Sequence, residues 1–158
     1  MSRRRAAVAR VIKPDSKYNS VLISKFINNL MIDGKKSVAE KIVYGAFSRI
    51  EKKNGADPNK IFAECMDNVR PYTEVKSVRV GGTNYQVPSP VDEKRGYALA
   101  TRYIIEAATK RSGRSMTDKL GDEMFDGANS RGSAFKKRED VHKMAESNKA
   151  FSHFAQRS

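Results

Sequence analysis

The groups able to transfer protons, acyl groups or electrons are few. His142 and His153 are the two histidines and Cys65 is the one cysteine. No metal-ligand spacing joins them. A nucleophile–base–acid set can be drawn from Cys65, His142 and Asp140, but nothing in the sequence brings the three together. Cys65 falls on the apolar face of a helical stretch, where a thiol is ordinarily buried and inert. The run Gly34-Lys35-Lys36-Ser37 has the outline of a phosphate loop, yet Asn29 stands in place of the first glycine and Lys36 in place of the Ser or Thr. The sequence therefore predicts no catalysis, no cofactor, no metal and no small-molecule substrate.

What the chain does carry is grouped cations. Arg3, Arg4, Arg5 and Arg10 precede any helical pattern. Lys35 and Lys36 follow a glycine, Lys76 and Arg79 lie in a β-rich run, and Arg95 and Arg102 are seven residues apart. Lys110, Arg111 and Arg114 bracket Ser112-Gly113, and Lys136, Lys137 and Arg138 adjoin one another. Several of these sit at helix ends and loops, where side-chain cations and free backbone N–H groups meet phosphates together. Plain solvated faces account better for Lys41, Arg49, Lys52 and Lys53, which have acids nearby or end a helix. Arg102–Glu106 and Glu139–Lys143 have i,i+4 spacing, and such pairs contribute roughly 0.2–0.5 kcal/mol each. No acid is close enough in the sequence to neutralise Arg3 to Arg5 or Lys110 to Arg114. If about eight of the cations reach phosphates, log K should fall with log salt at a slope of roughly −6 to −7.

The composition agrees. The 158 residues hold 31 Lys and Arg against 18 Asp and Glu, a net charge of +13. That length suits one domain, 1–158. A single cysteine excludes an internal disulfide framework and fits a reducing compartment. No apolar run approaches the ~18 residues of a membrane helix. Met1-Ser2-Arg3-Arg4-Arg5 has no apolar stretch behind it, so no secretory signal is expected. The reading is a soluble intracellular protein with a polyanionic partner, nucleic acid foremost.

The positioning elements follow from period. Residues 1–19 form an expected flexible basic arm. Leu22/Ile23, Phe26/Ile27 and Leu30/Met31 then set a helical stripe, with Ser20 as N-cap and Gly34 as stop. Ser37 to Glu40 has capping-box spacing, and Val38, Ile42, Val43, Ala46, Phe47 and Ile50 line a second helix. Asp57-Pro58 opens a third, lined by Ile61, Phe62, Cys65, Met66 and Val69. The period then changes to two. Thr73 to Val80 and Thr83 to Val87 flank Gly81-Gly82, a hairpin that puts Val78, Val80, Tyr85 and Val87 on one face. Pro88 and Pro90 keep it from being central in any sheet, so 72–88 reads as a projecting arm. Asp92 to Arg111 forms a fourth helix, with Tyr97, Ala100, Tyr103, Ile104, Ala107 and Ala108 on its apolar side. Ser115 starts a fifth. The sixth, from about Ser133 to Asn148, has a thin stripe of Ala134, Val141, Met144 and Ala145. Phe26, Phe47, Phe62 and Tyr103 read as core. Tyr85 either stacks on a base or packs on Val78, and Phe151 and Phe154 are expected to fold back onto the last helix.

Three stretches resemble the bacterial-type small-subunit ribosomal proteins of the S-seven family. They are Phe26-Ile27 through Asp33-Gly34-Lys35-Lys36-Ser37 to Ala46; Glu74-Val75-Lys76-Ser77 with Arg79-Val80-Gly81-Gly82 and Tyr85-Gln86-Val87-Pro88; and Lys136 through Val141-His142-Lys143-Met144-Ala145-Glu146 to Phe151. The resemblance implies a mainly α, six-helix bundle-like domain with a protruding two-stranded β-hairpin between helices three and four. It also implies direct binding to small-subunit (16S-type) ribosomal RNA, nucleation of the subunit head, and a place beside the exit-site tRNA and the mRNA exit path. Family members contact the neighbouring ribosomal proteins S-nine and S-eleven, in a cytoplasmic or an organellar ribosome. The departures are Val78 where the family usually has the first of two arginines, an acidic Asp92-Glu93, Tyr103 where tryptophan is common, and the tail from Phe154 to Ser158.

The RNA-binding set is then Arg3, Arg4, Arg5, Arg10, Lys35, Lys36, Lys76, Arg79, Gly81, Gly82, Tyr85, Arg95, Arg102, Lys110, Arg111, Arg114, Lys119, Lys136, Lys137, Arg138 and Lys143. Binding of this kind fixes RNA through phosphates and shape. The alternative is a helical DNA-binding regulator, which needs a recognition helix presenting Asn, Gln or Arg to base edges. The second helix, apolar on one side and lysine-rich on the other, is a poor reader.

Overall fold

Helical stripes and caps place most of the chain. In the computed structural model, residues 8, 10–55 and 57–157 are described, with backbone alone for Asn54 and residues 154–157. The elements run α1 (Val21–Leu30), α2 (Lys36–Asn54), α3 (Pro58–Val69), β1 (Thr73–Val80), β2 (Thr83–Pro90), α4 (Glu93–Lys110), α5 (Met116–Ala128) and α6 (Gly132–Ser147), with a 3-10 segment over Lys149–Arg157. The six helices and the hairpin between α3 and α4 are those the period analysis expects. The chain divides into two compact units, residues 1–40 and 41–158, with the boundary inside α2.

In the first unit, ordered structure begins earlier than α1. The Asp15 carboxylate accepts the N–H groups of Lys17 (3.1 Å) and Tyr18 (3.0 Å), and its backbone bonds to Ser20 and Asn19 close a turn. The Asp15–Asn19 end of the basic arm is thus tied down before any anion arrives. Ser20 caps α1 by accepting from Ile23 N–H. The helix ends at Leu30 rather than running on toward Gly34, because Met31 is extended (ψ 133°) and closes the last turn with its N–H on Ile27. Asp33 (φ 54°) and Gly34 (φ 72°) instead turn the chain into α2. That turn starts α2 at Lys36, one residue before the expected cap, so Ser37 lies inside the helix. Ile23, Phe26, Ile27, Leu30 and Ala39 are buried, whereas Val38, assigned to the α2 stripe, is 51% exposed.

In the second unit, the core is Val43, Ala46, Phe47 and Ile50 of α2, Ile61, Phe62, Cys65, Met66 and Val69 of α3, Ala100, Ile104 and Ala108 of α4, and Leu120 and Met124 of α5. Fully burying a side chain of this size contributes about 1.5–3 kcal/mol. Phe47 and Phe62 meet at 5.7 Å between ring centroids. Glycines set the closest approaches. A Cβ on Gly127 would stand 2.7 Å from Cys65 Sγ, and one on Gly121 3.2 Å from the Ala46 carbonyl. Cys65 is fully buried, and burial pushes its thiol far up, so the inert reading of this residue holds. Asp57 caps α3 ahead of Pro58. Ser115 caps α5, accepting from Asp118 N–H at 3.2 Å.

The hairpin register pairs Val78 with Tyr85 and Val80 with Thr83, a two-residue turn. Gly81 (φ 57°) and Gly82 (φ 88°) both take the left-handed region that such a turn demands. The tip is exposed, but the base is seated: Val87 and Glu74 are buried, and the strands pack on α6 and the 3-10 segment. The Phe151 ring lies 5.4 Å from that of Tyr85, so the segment after α6 reaches the hairpin. The Phe154 side chain lies outside the described residues. Tyr103 is half-buried at the rim rather than core, and Met144 of the α6 stripe is 52% exposed.

Candidate nucleic-acid interface

Arg3, Arg4 and Arg5 lie outside the described residues. Elsewhere in the first unit, Arg10 is exposed, as are Lys35 and Lys36 at the α2 start. Lys35 reaches Asp33 at 3.9 Å and Lys36 reaches Glu40 at 3.8 Å, loose contacts between solvated groups. Exposed pairs of this kind contribute little and yield readily to a stronger anion.

In the second unit the cations sort by what they touch. Arg79 and the Gly81-Gly82 turn are at the exposed hairpin tip. Arg79, Arg102, Arg114, Lys136 and Lys143 are all exposed and form no salt bridge with a described residue. Arg102 therefore does not take up the i,i+4 pairing with Glu106, and Glu139 and Lys143 form no pair either. Lys119 is half-buried, its stem lying over Gly113. The Arg138 guanidinium sits 4.2 Å from the centroid of the Phe135 ring, and its buried Nε has no hydrogen-bond partner. Tyr85 is half-buried between Val78 and Phe151, a packed ring.

Other members of the set are tied to acids from different elements. Glu74 of β1 accepts from Arg95 Nε at 2.8 and 2.9 Å, and Lys76 lies 3.2 Å from it. Burial alone would raise this carboxyl, but the two cations outweigh it and hold it below its ordinary range. The bond joins the hairpin base to the first turn of α4. Glu106 holds Lys110 at 2.8 Å and also Lys137 of α6, and the two ammonium groups pull its carboxyl down to about 2.

Arg111 corrects the expectation for its loop. Its guanidinium lies 2.7 Å from Glu123 and 2.5 Å from Asp126, both on α5. The acids absent from the neighbouring sequence arrive through helix packing. Glu123 is 1% exposed, and its other oxygen accepts the Ala134 N–H at 2.9 Å. A buried carboxylate from α5 thus satisfies the start of α6, which has no side-chain cap of its own. Gly132, at φ 89°, leaves room for it, since a Cβ there would stand 2.9 Å from the Glu123 oxygen.

Arg49 is likewise fixed, by Asp118 (2.7 Å) and Asp122 (3.1 Å), with Lys53 also on Asp122. Burial would raise the Asp122 carboxyl, yet Arg49 and Lys53 lower it on balance. His142 Nε2 accepts the Tyr72 N–H at 3.1 Å, tying α6 to the residue before β1. Burial, helped by Arg138, keeps that imidazole below its ordinary range. Glu123, Asp126 and Glu106 in their true pairings are what sequence reasoning missed. Only the i,i+4 step from Glu106 to Lys110 was there to be read.

Among the described residues no three His, Cys, Asp or Glu side chains group to hold a metal ion, and no helix is long and apolar enough to cross a membrane. The arrangement suits electrostatic binding. Carboxylates are drawn into caps and inter-helix pairs, while free cations remain at the hairpin tip, along α4 and on α6.

Comparison with known proteins agrees with that character. The chain is 68% identical over 155 residues to the small ribosomal subunit protein uS7 of Rickettsia bellii, covering 98% of this chain and 95% of that protein. The proteins of the same name from Rickettsia canadensis and Rickettsia typhi are 66% and 64% identical, over 98% of this chain and 97% of each relative. Residues 2–149 match the family model described as ribosomal protein S7p/S5e, and the chain belongs to that family.

Proposed function

We propose that this protein is a structural constituent of the small ribosomal subunit that binds 16S-type ribosomal RNA directly and catalyses nothing itself. One observation carries the reading: relatives named as small ribosomal subunit proteins match 98% of the chain at 64–68% identity. The electrostatics support it. The net charge is +13, and Arg79, Arg102, Arg114, Lys136 and Lys143 are exposed without a salt bridge to a described residue, so they are available to a polyanion.

In finer detail, Arg79, Arg102, Arg114, Lys136 and Lys143 grip phosphates, Lys35 and Lys36 do so from the first unit, and Arg3, Arg4, Arg5 and Arg10 extend the grip. Contacts of this kind fix junctions by shape and charge. The family resemblance further suggests early assembly of the subunit head in the cytoplasm. It puts the hairpin beside the exit-site tRNA and the mRNA path, with proteins S-nine and S-eleven as neighbours. The test is co-sedimentation with small subunits through a moderate salt wash, with competition between structured ribosomal RNA and duplex DNA. Retention on subunits and preference for ribosomal RNA are expected. Equal binding to duplex DNA overturns the reading.

A further inference from the structure

We propose that the groove between α4 and α6 is a subsite for one phosphodiester group of ribosomal RNA, and that Glu106 is the resident anion which that phosphate displaces. This rests on the RNA-binding reading above and deepens it. The groove is lined by Tyr103, Glu106, Lys110, Lys136, Lys137 and Asp140. One carboxylate there receives ammonium groups from two helices, Lys110 on one oxygen and Lys137 on the other. Two converging ammonium groups on a monoanion are also what a phosphodiester requires.

Three features together let Glu106 give way. First, its side chain is 44% exposed, so it can leave without stranding a buried charge. Second, Lys137 has another seat: its ammonium lies 5.0 Å from the centroid of the Tyr103 ring, a cation–π contact that persists when the carboxylate swings away. Third, Lys136 lines the same groove, exposed and without a salt bridge to a described residue, and supplies another cation once the phosphate is in place. Asp140, the further acid of the lining, is exposed and likewise forms no salt bridge with a described residue. Replacing Glu106 by a phosphate exchanges one monoanion for another. The lysines stay matched throughout, and the groove is kept from anions that cannot outcompete a tethered carboxylate.

The test uses the full chain and a transcript of the small-subunit RNA head domain, with filter binding across a salt series. Glu106→Gln removes the competitor, and Glu64→Gln, an exposed carboxylate on α3, controls for the gain of one net positive charge. Glu106→Gln should bind about three- to tenfold tighter than wild type at low salt, with a log–log slope steeper by about one unit, and Glu64→Gln should show neither in full. Adding Lys137→Gln to Glu106→Gln should abolish the gain, with circular dichroism verifying that each variant is folded. If Glu106→Gln matches Glu64→Gln, or binds more weakly than wild type, the displacement idea is wrong. If the wild type itself ignores the transcript, the RNA-binding reading fails instead.

Discussion

Replacing Glu123 should cost the fold much and RNA binding little. The carboxylate is buried, accepts the Ala134 N–H at the α6 start and lies 2.7 Å from Arg111. Glu123→Ala leaves an uncapped helix start, at about 1–2 kcal/mol. It also deletes a charge-assisted hydrogen bond, at about 1.5–3 kcal/mol. A stranded buried charge would add more, but Arg111 is 31% exposed and keeps Asp126 at 2.5 Å, which puts the total near the low end, about 3 kcal/mol. For a chain of this length that lowers Tm by about 6–12 °C. Glu123→Gln keeps an acceptor for Ala134 and should lose only about 1–2 kcal/mol. Urea denaturation should show a lower midpoint with unchanged slope. RNA affinity measured well below the transition should stay near wild type. A loss under about 1 kcal/mol for the alanine variant, or equal losses for both, would refute the capping-and-clamp argument.

Stability should rise with pH across the acidic range. Glu74, Asp122 and Glu106 sit below their ordinary values when folded, so the unfolded chain takes up protons first, and stability is lost as pH falls from about 4.5 towards 2. His142 works in the same direction from its ordinary 6.5, since its folded form resists protonation; His142→Gln should flatten the urea midpoint between about pH 7 and 5, and an unchanged profile would deny that burial holds this imidazole below its ordinary range. Gly127→Ala drives a methyl towards Cys65 Sγ and should destabilise by about 1–3 kcal/mol. In a double-mutant cycle, Cys65→Ala should recover part of that loss, and simple additivity would deny the contact. Arg102→Ala should flatten the salt slope by about one unit at unchanged Tm, whereas Arg111→Ala should lower Tm while barely moving the slope. The reverse pattern would exchange their roles.

What the sequence made legible is what is local. The stripe Ile23, Phe26, Ile27, Leu30 repeats within single turns, and Ser20, Asp57 and Ser115 cap through atoms two or three residues away. Gly81-Gly82 marked the turn, because few dipeptides accept two positive φ values, and the alternation gave the shared face; the sequence left a two- or a four-residue turn open, and the structure has the two-residue one. The misses have a common origin in distance along the chain. Arg111 and Glu123 are 12 residues apart, Lys137 and Glu106 are 31 apart, and Arg49 and Asp118 are 69 apart. These partners are chosen by how α2, α4, α5 and α6 pack, which periodicity does not encode. Val38 and Met144 make the complementary point, since an apolar residue at the right phase is buried only when another element reaches that level of the helix.

Cys65 has a practical consequence. It is the chain's one sulfhydryl, wedged against Gly127 with no exposed surface. An alkylating reagent can reach it only when α3 and α5 part. The rate of maleimide labelling therefore times the opening of the interior from a single atom, and a bound transcript that slows this labelling reports its own grip on the fold without any engineered probe.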